Sequence, residues 1–434
     1  MQYPSIQMRH LCGFRPHRNL FITAAIGLLV FGSVTSVSAE ENWTRFRGPN
    51  GTGISDLKGL PTEWTDSDYE WSVTLDGKGH SSPVIYGDTL FVTSGFDDGR
   101  RSLICLDALT GQKKWDRTIK LDPNHLHKKN SYCSSSPTTD GELVYTAEAD
   151  QQHFLIHAYT MTGKEVWKRD LGPFVSQHGF GPSPMLYQEQ LIIPYDQDGS
   201  AEIVSLDAKT GETIWTSTRK ANTASYATPM ILNLNGQDLL IVLSGATGIA
   251  GLNPLSGEQL WESGKLPERT VASPVYGNGL LLATCGSGGR GKFMVAVDPR
   301  APGENRPAVK AERKKMLPYV PTPIVHDQYV YFWNDDGTVC CLDMHGDFTE
   351  EVWRERVGGN YSSSPILVDG KIYCVSEEGD VKVIDASPDF KQHKGGKLGD
   401  DSYSTPAIAN GRMYLKGFGR LVSLKAKAPT VTKN

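Results

Sequence analysis

Eight times along the chain a Ser or Thr before a proline opens a recurring unit. Each time an apolar run, a turn and a second apolar run follow. SSPVIYGDTLFVTSG from Ser81 is one instance, ASPVYGNGLLLATCG from Ala272 a second and SSPILVDGKIYCVSE from Ser363 a third. The prolines are Pro83, Pro137, Pro184, Pro229, Pro274, Pro323, Pro365 and Pro406, about 46 residues apart on average. A period of this length fits one four-stranded propeller blade. The rest of each unit agrees. A third apolar stretch ends in a phrase such as CLDALTG (Cys105–Gly111), SLDAKTG (Ser205–Gly211) or GLNPLSG (Gly251–Gly257). Its Asp or Asn and later Gly are turn chemistry. A fourth stretch carries tryptophan, at Trp115, Trp167, Trp215, Trp261 and Trp353. No helical period intervenes. The sequence predicts an all-β fold: an eight-bladed β-propeller of four-stranded antiparallel blades, strands A to D.

The last unit, from Ser404 to about Lys425, has no fourth strand. EWSVTLDG (Glu70–Gly77), ahead of the first unit, resembles one and carries Trp71. An N-terminal strand is therefore expected to close the ring, which removes the free edges that invite aggregation. This places the propeller at 70–426, an N-terminal strap at 40–69 and a C-terminal tail at 427–434. The RGPNGTG core of the strap reads as turns.

Residues 1–39 read as a signal peptide: Arg9, Arg15 and Arg18, then the apolar run Leu20–Phe31, then VSA before Glu40. That run is shorter than the roughly 20 residues a membrane span needs. No second run of that length follows, so no transmembrane segment is expected in the mature chain. Cys12 precedes the apolar core, so no lipid anchor is expected, and the location implied is periplasmic or secreted. Removing the peptide takes three of the 44 basic residues and none of the 49 acidic ones, leaving a net charge of −8. A chain this acidic lacks the clustered Lys and Arg that nucleic acid demands. Six of the seven cysteines remain, too few for a disulfide scaffold. A monomer is expected.

The repeat as a whole resembles the pyrroloquinoline-quinone (PQQ) type propeller repeat, over nearly all of the mature chain. That family has two wings. Quinoprotein alcohol dehydrogenases hold PQQ and calcium on the axis. Non-catalytic members, BamB-like proteins among them, bind other proteins. The leader WTRFRGPNGTGIS (Trp43–Ser55) is similar to one in uncharacterised exported members of the second wing.

In the dehydrogenases a vicinal disulfide packs against PQQ, which draws attention to Cys340 and Cys341 in GTVCCLD. Three arguments favour packing over redox chemistry. Cys341 stands in a column of mostly small residues: Cys105, Ala158, Ser205, Gly251, Ala296, Val383 and Ser423 in the other units. Neighbours along a strand point to opposite faces. And the C strand is third from the axis. The pair is expected to be buried thiols.

A ligand site is expected at the channel mouth. Just before the Ser/Thr-Pro motifs stand His80, Tyr132, Phe180, Tyr226, Tyr319, Tyr361 and Tyr403, a candidate collar of amphipathic rings. Arg269, Asn360 and Asp401 join them, with His178, Asn222 and Lys315 as further polar candidates. The collar residues could equally pack between blades. No Glu-Asn-Asp set for calcium assembles among them. Five hairpins are acidic: Phe96–Arg100, Ala147–Gln152, Asp196–Gly199, Asn334–Gly337 and Ser376–Asp380. They suggest an acidic rim, although Asp-Gly also simply suits a hairpin. GSGGRG (Gly286–Gly291) opens no helix and is not read as a dinucleotide loop, and His125 and His127 lack the partners of a zinc site. No catalytic or metal residue is assigned. The expectation is a non-catalytic binding or scaffolding propeller whose mouth takes an exported protein or a small polar ligand. A PQQ- and calcium-dependent dehydrogenase and a carbohydrate-binding propeller are the alternatives.

Overall fold

The computed structural model describes residues 42–303 and 306–427. The expected signal peptide and all but Lys427 of the expected tail lie outside them. Among the described residues the strands form eight antiparallel blades. Blade 1 runs Val84–Tyr86, Thr89–Gly95, Arg100–Asp107 and Lys113–Lys120, in that order across the sheet. The inner strands of blades 2 to 7 are Thr138–Thr139, Met185–Tyr187, Met230–Leu234, Val275–Gly277, Ile324–His326 and Ile366–Val368. Blade 8 begins at Ala407–Ala409, and its outer strand is the N-terminal Tyr69–Thr74, paired antiparallel with Arg420–Lys425 and setting Trp71 opposite Ser423. The ring closes as expected.

Why each motif recurs is visible in the packing. The B and C strands are buried at nearly every position because both faces are covered by neighbouring blades; Gln190–Gln197 is buried throughout. The D strands are half-exposed, since only one face meets a neighbour, and Tyr69–Thr74 alternates strictly. Their tryptophans reach the next blade. Trp71, Trp115 and Trp167 donate indole N–H to the carbonyls of Ala108, Met161 and Ala208 at 2.9–3.1 Å. The glycine ending each of those turns leaves room for the ring: a Cβ on Gly111, Gly163 or Gly211 would fall 2.7 Å from it. All three glycines have positive φ, a conformation other residues resist. Asp107 and Asp207 shape the same turns, each taking two backbone N–H groups on one carboxylate oxygen.

The Ser/Thr before each proline forms a belt. Backbone N–H donates to the next hydroxyl from Thr405 to Ser82, Ser82 to Ser136 and Ser136 to Ser183. The chain resumes from Thr228 to Ser273, Ser273 to Thr322, Thr322 to Ser364 and Ser364 to Thr405, all seven bonds at 2.9–3.1 Å. Successive inner strands are thus laced around the axis.

The strap lies on the surface only in part, with Pro49, Asn50 and Asp66–Asp68 exposed. It crosses the channel and caps the inner strands. Trp43 exchanges two backbone hydrogen bonds with Ile85 of blade 1, and the Thr44 carbonyl accepts from Thr138 and Thr139 of blade 2. The Arg45 guanidinium donates to Pro229 O at 2.6 Å and touches Met185 Sδ. Arg47 donates to Pro365 O and Pro323 O at 2.9 and 3.1 Å. Ile54–Ser55 pairs parallel with Leu367–Val368, adding a fifth strand to blade 7. Trp43, Arg45 and Arg47 are buried. Inner strands leave carbonyls facing the axis, and a buried carbonyl without a partner is costly; the two guanidinium groups supply donors. Burial holds Arg45 down to about 10 and Arg47 to about 9.

The six cysteines among the described residues are buried free thiols. Cys340 packs with Leu282, Met294 and Phe332, toward blade 5; Cys341 packs with Tyr331, Leu367 and Cys374, toward blade 7. They point to opposite sides of blade 6, and desolvation pushes both up to about 12.

Candidate functional site

At the face built by the D-to-A links and B-to-C hairpins the channel opens into a cavity of about 920 Å³. Its floor is Phe46 of the strap together with belt residues Ser82, Ser183, Thr228, Thr322, Ser364 and Thr405. The cavity is therefore blind. A belt hydroxyl that accepts the neighbour's N–H keeps its own hydrogen free to donate.

Of the seven rings expected in the collar, His80, Tyr226, Tyr319 and Tyr403 line this cavity. The other three are used elsewhere. Tyr361 is fully buried, edge-on to Trp333 at 5.3 Å, with its hydroxyl donating to Gly358 O. Phe180 packs with Phe154 and Phe174 in the core between blades 2 and 3. Tyr132 lies under Arg101, 4.7 Å from ring centroid to guanidinium carbon, and donates to Asn124 O. Their sequence offset from the proline differs, and the chain enters each blade by a different path. Arg269 and Asn360 line the cavity, as do His178 and Asn222; Asp401 and Lys315 do not.

The walls carry more than the sequence reading found. The link HLHKKN brings His127, Lys128, Lys129 and Asn130, and the GSGGRG hairpin brings Arg290. His127 and His178 stand with ring centroids 4.8 Å apart. Desolvation lowers both, helped by Lys128 at His127 and by Arg269 at His178. Lys129 is held by Glu377 at 2.5 Å. Asp335 is buried, accepts the N–H groups of Tyr319 and Val320 at 2.7 and 3.3 Å, and is pushed up by desolvation to about 6. His80 sits 4.6 Å from Tyr403 and stacks on Phe418; desolvation, then the repulsion of Lys416, takes it down to about 3. Of the five acidic hairpins only Asn334–Gly337 reaches the lining, through Asp335 and Asp336. The lining is of mixed charge, and Glu377, Glu378 and Asp198 of two further hairpins bond residues at its edge.

The donor set does not fit calcium with PQQ. Asp335 is committed to backbone donors, Asn360 donates to Glu378, and Lys129 and Arg269 bring positive charge where a cation would sit. No three His, Cys, Asp or Glu side chains gather as a metal cage among the described residues. Cys340 and Cys341 lie between blades, away from the cavity.

A family profile described as outer membrane protein assembly factor BamB, of the PQQ-repeat class, matches residues 62–150 and 128–347. Outer membrane protein assembly factor BamB of Burkholderia pseudomallei (strain K96243) is 26% identical over 220 residues, 49% of this chain and 51% of that protein. The match thus spans about half the length of that relative. BamB from Moraxella catarrhalis superposes with a TM-score of 0.55 at 16% identity, covering 83% of this chain and 97% of that one. A europium-containing methanol dehydrogenase superposes at 0.52 and 12% identity, covering 88% and 90%. At such identities the two structures share the fold and carry nothing about activity. With the profile matching well over half of its length, the chain belongs to the PQQ-repeat propeller family described as outer membrane protein assembly factor BamB.

Proposed function

We propose that this propeller is a non-catalytic binding or scaffolding protein, periplasmic or secreted, that receives part of another exported molecule in its mouth. The observation that carries the reading is the blind cavity of about 920 Å³, floored by the chain's own Phe46 and walled by aromatic and polar side chains. Concave sites of this size with a few convergent polar groups are where proteins take ligands. The family's description as an assembly factor agrees with a protein partner.

Photo-crosslinking in the native host tests it. A crosslinker at Asn222, on the cavity wall, should give adducts; one at Ile214, on the outer rim, should not. Adducts from Ile214 alone would sink the reading. A calorimetric titration with PQQ and calcium addresses the enzymatic alternative: no heat is expected, and tight calcium-dependent binding would bring the dehydrogenase back.

A further inference from the structure

The walls of the mouth contain one cation in an unusual position. Arg269 lines the cavity, yet among the described residues no carboxylate lies within ion-pair distance of its guanidinium. Its side chain makes a long 3.4 Å contact to Gln177 and lies beside the Tyr319 hydroxyl, and its Nε is buried with no partner. Arg219 and Arg45 also leave an Nε unpaired, but their other nitrogens are met, Arg219 by Asp196 at 2.9 Å and Arg45 by Pro229 O, while Arg313 meets Glu351 and Arg47 is met by carbonyls. A buried donor on a charged group is costly to leave unmade. Lys128 and Arg290 stand in the same lining, without ion pairs of their own among the described residues. Below them are the belt hydroxyls with free hydrogens, and beside them the rings of Tyr226 and Tyr319.

We infer that the mouth is a carboxylate-binding site, with the Arg269 guanidinium as the group that takes the carboxylate. The inference rests on the mouth being the binding face and adds the chemistry of what enters. A planar fork suits a carboxylate, which can accept two parallel N–H bonds from it. The polar body behind the carboxylate meets the belt hydroxyls and lies against the aromatic walls. Because Phe46 closes the floor, the ligand enters by an end and cannot thread through. Two sources present such an end: the C-terminus of an extended polypeptide and a sugar acid.

The test uses the whole mature chain and four probes. Two are degenerate hexapeptide pools, one with free C-termini and one amidated, with retained species read by mass spectrometry. The others are glucuronate and glucose, read by calorimetry. Binding of the free-acid pool over the amide pool would identify a polypeptide end, and binding of glucuronate over glucose a sugar acid. In either case Arg269→Gln should weaken binding about 10- to 100-fold, the range for losing a charge-assisted pair. Arg269→Lys should recover part of the loss, because it keeps the charge and loses the fork. The main-chain bridge of Arg269 to Gly286 survives both changes, and a folded state is checked by circular dichroism. Lys128→Gln, on an exposed side chain, should weaken binding severalfold and serves if Arg269 variants do not fold. The inference is overturned if amide and acid pools bind alike and glucose matches glucuronate, if none of the four binds, or if Arg269→Gln binds as well as the parent. Adducts at Asn222 would then still stand, so failure of the carboxylate chemistry is distinguishable from failure of the mouth as a binding face.

Discussion

His80 is a residue whose environment decides its charge. Its folded value of about 3 lies below the ordinary 6.5, because burial and then Lys416 disfavour the imidazolium. Between those values the unfolded chain binds a proton that the folded one refuses, so stability falls as pH drops from 6.5 toward 3. His80→Phe, which keeps a ring against Tyr403 and Phe418, should flatten that part of a Tm-against-pH curve. An unchanged slope would mean His80 is not what sets it. The cysteines give a second residue-scale expectation. Cys340 and Cys341 should both alkylate only after unfolding, and peptide mass mapping should find no bond between them. The small character of the Cys341 column was legible because eight copies of one unit could be compared. The role of the Ser/Thr before proline was not. Seven of the eight hydroxyls serve the equivalent residue of the neighbouring blade, six of them 41 to 54 residues away and the closing one 323, and no local pattern records such a partner.

Elements show the same division. The D-strand tryptophan and the turn glycine recur in the sequence as separate signals. That they meet, blade to blade, is a property of the closed ring. Gly163→Ala would force a Cβ against Trp115 at a φ of 82°. A cost of about 1–3 kcal/mol is expected from strain and overpacking, read by denaturant midpoint. The strap was legible as turns and as a distinctive leader, and its destination was hidden. Arg45 and Arg47 look like ordinary surface charges on paper. In the fold they satisfy carbonyls of blades scattered from Pro229 to Pro365. Arg47→Ala would leave the carbonyls of Pro323 and Pro365 bare, with an expected loss of about 2–4 kcal/mol. The collar divides unevenly for a related reason: a ring three to five positions before a proline can turn into the cavity or between blades, and the path of the preceding link decides which.

At the scale of the molecule, closure depends on the pairing of Tyr69–Thr74 with Arg420–Lys425, backed by the contacts of Glu70 with Arg412 and Lys425. Deleting Tyr69–Thr74 would expose the edge of blade 8. Self-association is then expected on size-exclusion chromatography, since an unpaired edge is a template for another chain. Fold and blade number were open to reading because the period repeats eight times. The chemistry of the mouth was less so, since it is assembled from single residues on different blades, such as Lys129 and Asp335, that share no period.

The strap in the channel is, in effect, a peptide ligand that the protein carries on a tether. Its hydrogen bonds reach six of the eight blades, so its docking site exists only once most of the ring has formed. Tethering gives it a local concentration of roughly millimolar order. A chain cut back to Asp56 should therefore have an empty receptor at its centre. Free WTRFRGPNGTGIS peptide added to it should raise its melting temperature in a dose-dependent way, as any ligand that binds only the folded state does. The intact protein, whose receptor is already filled from within, should ignore the same peptide.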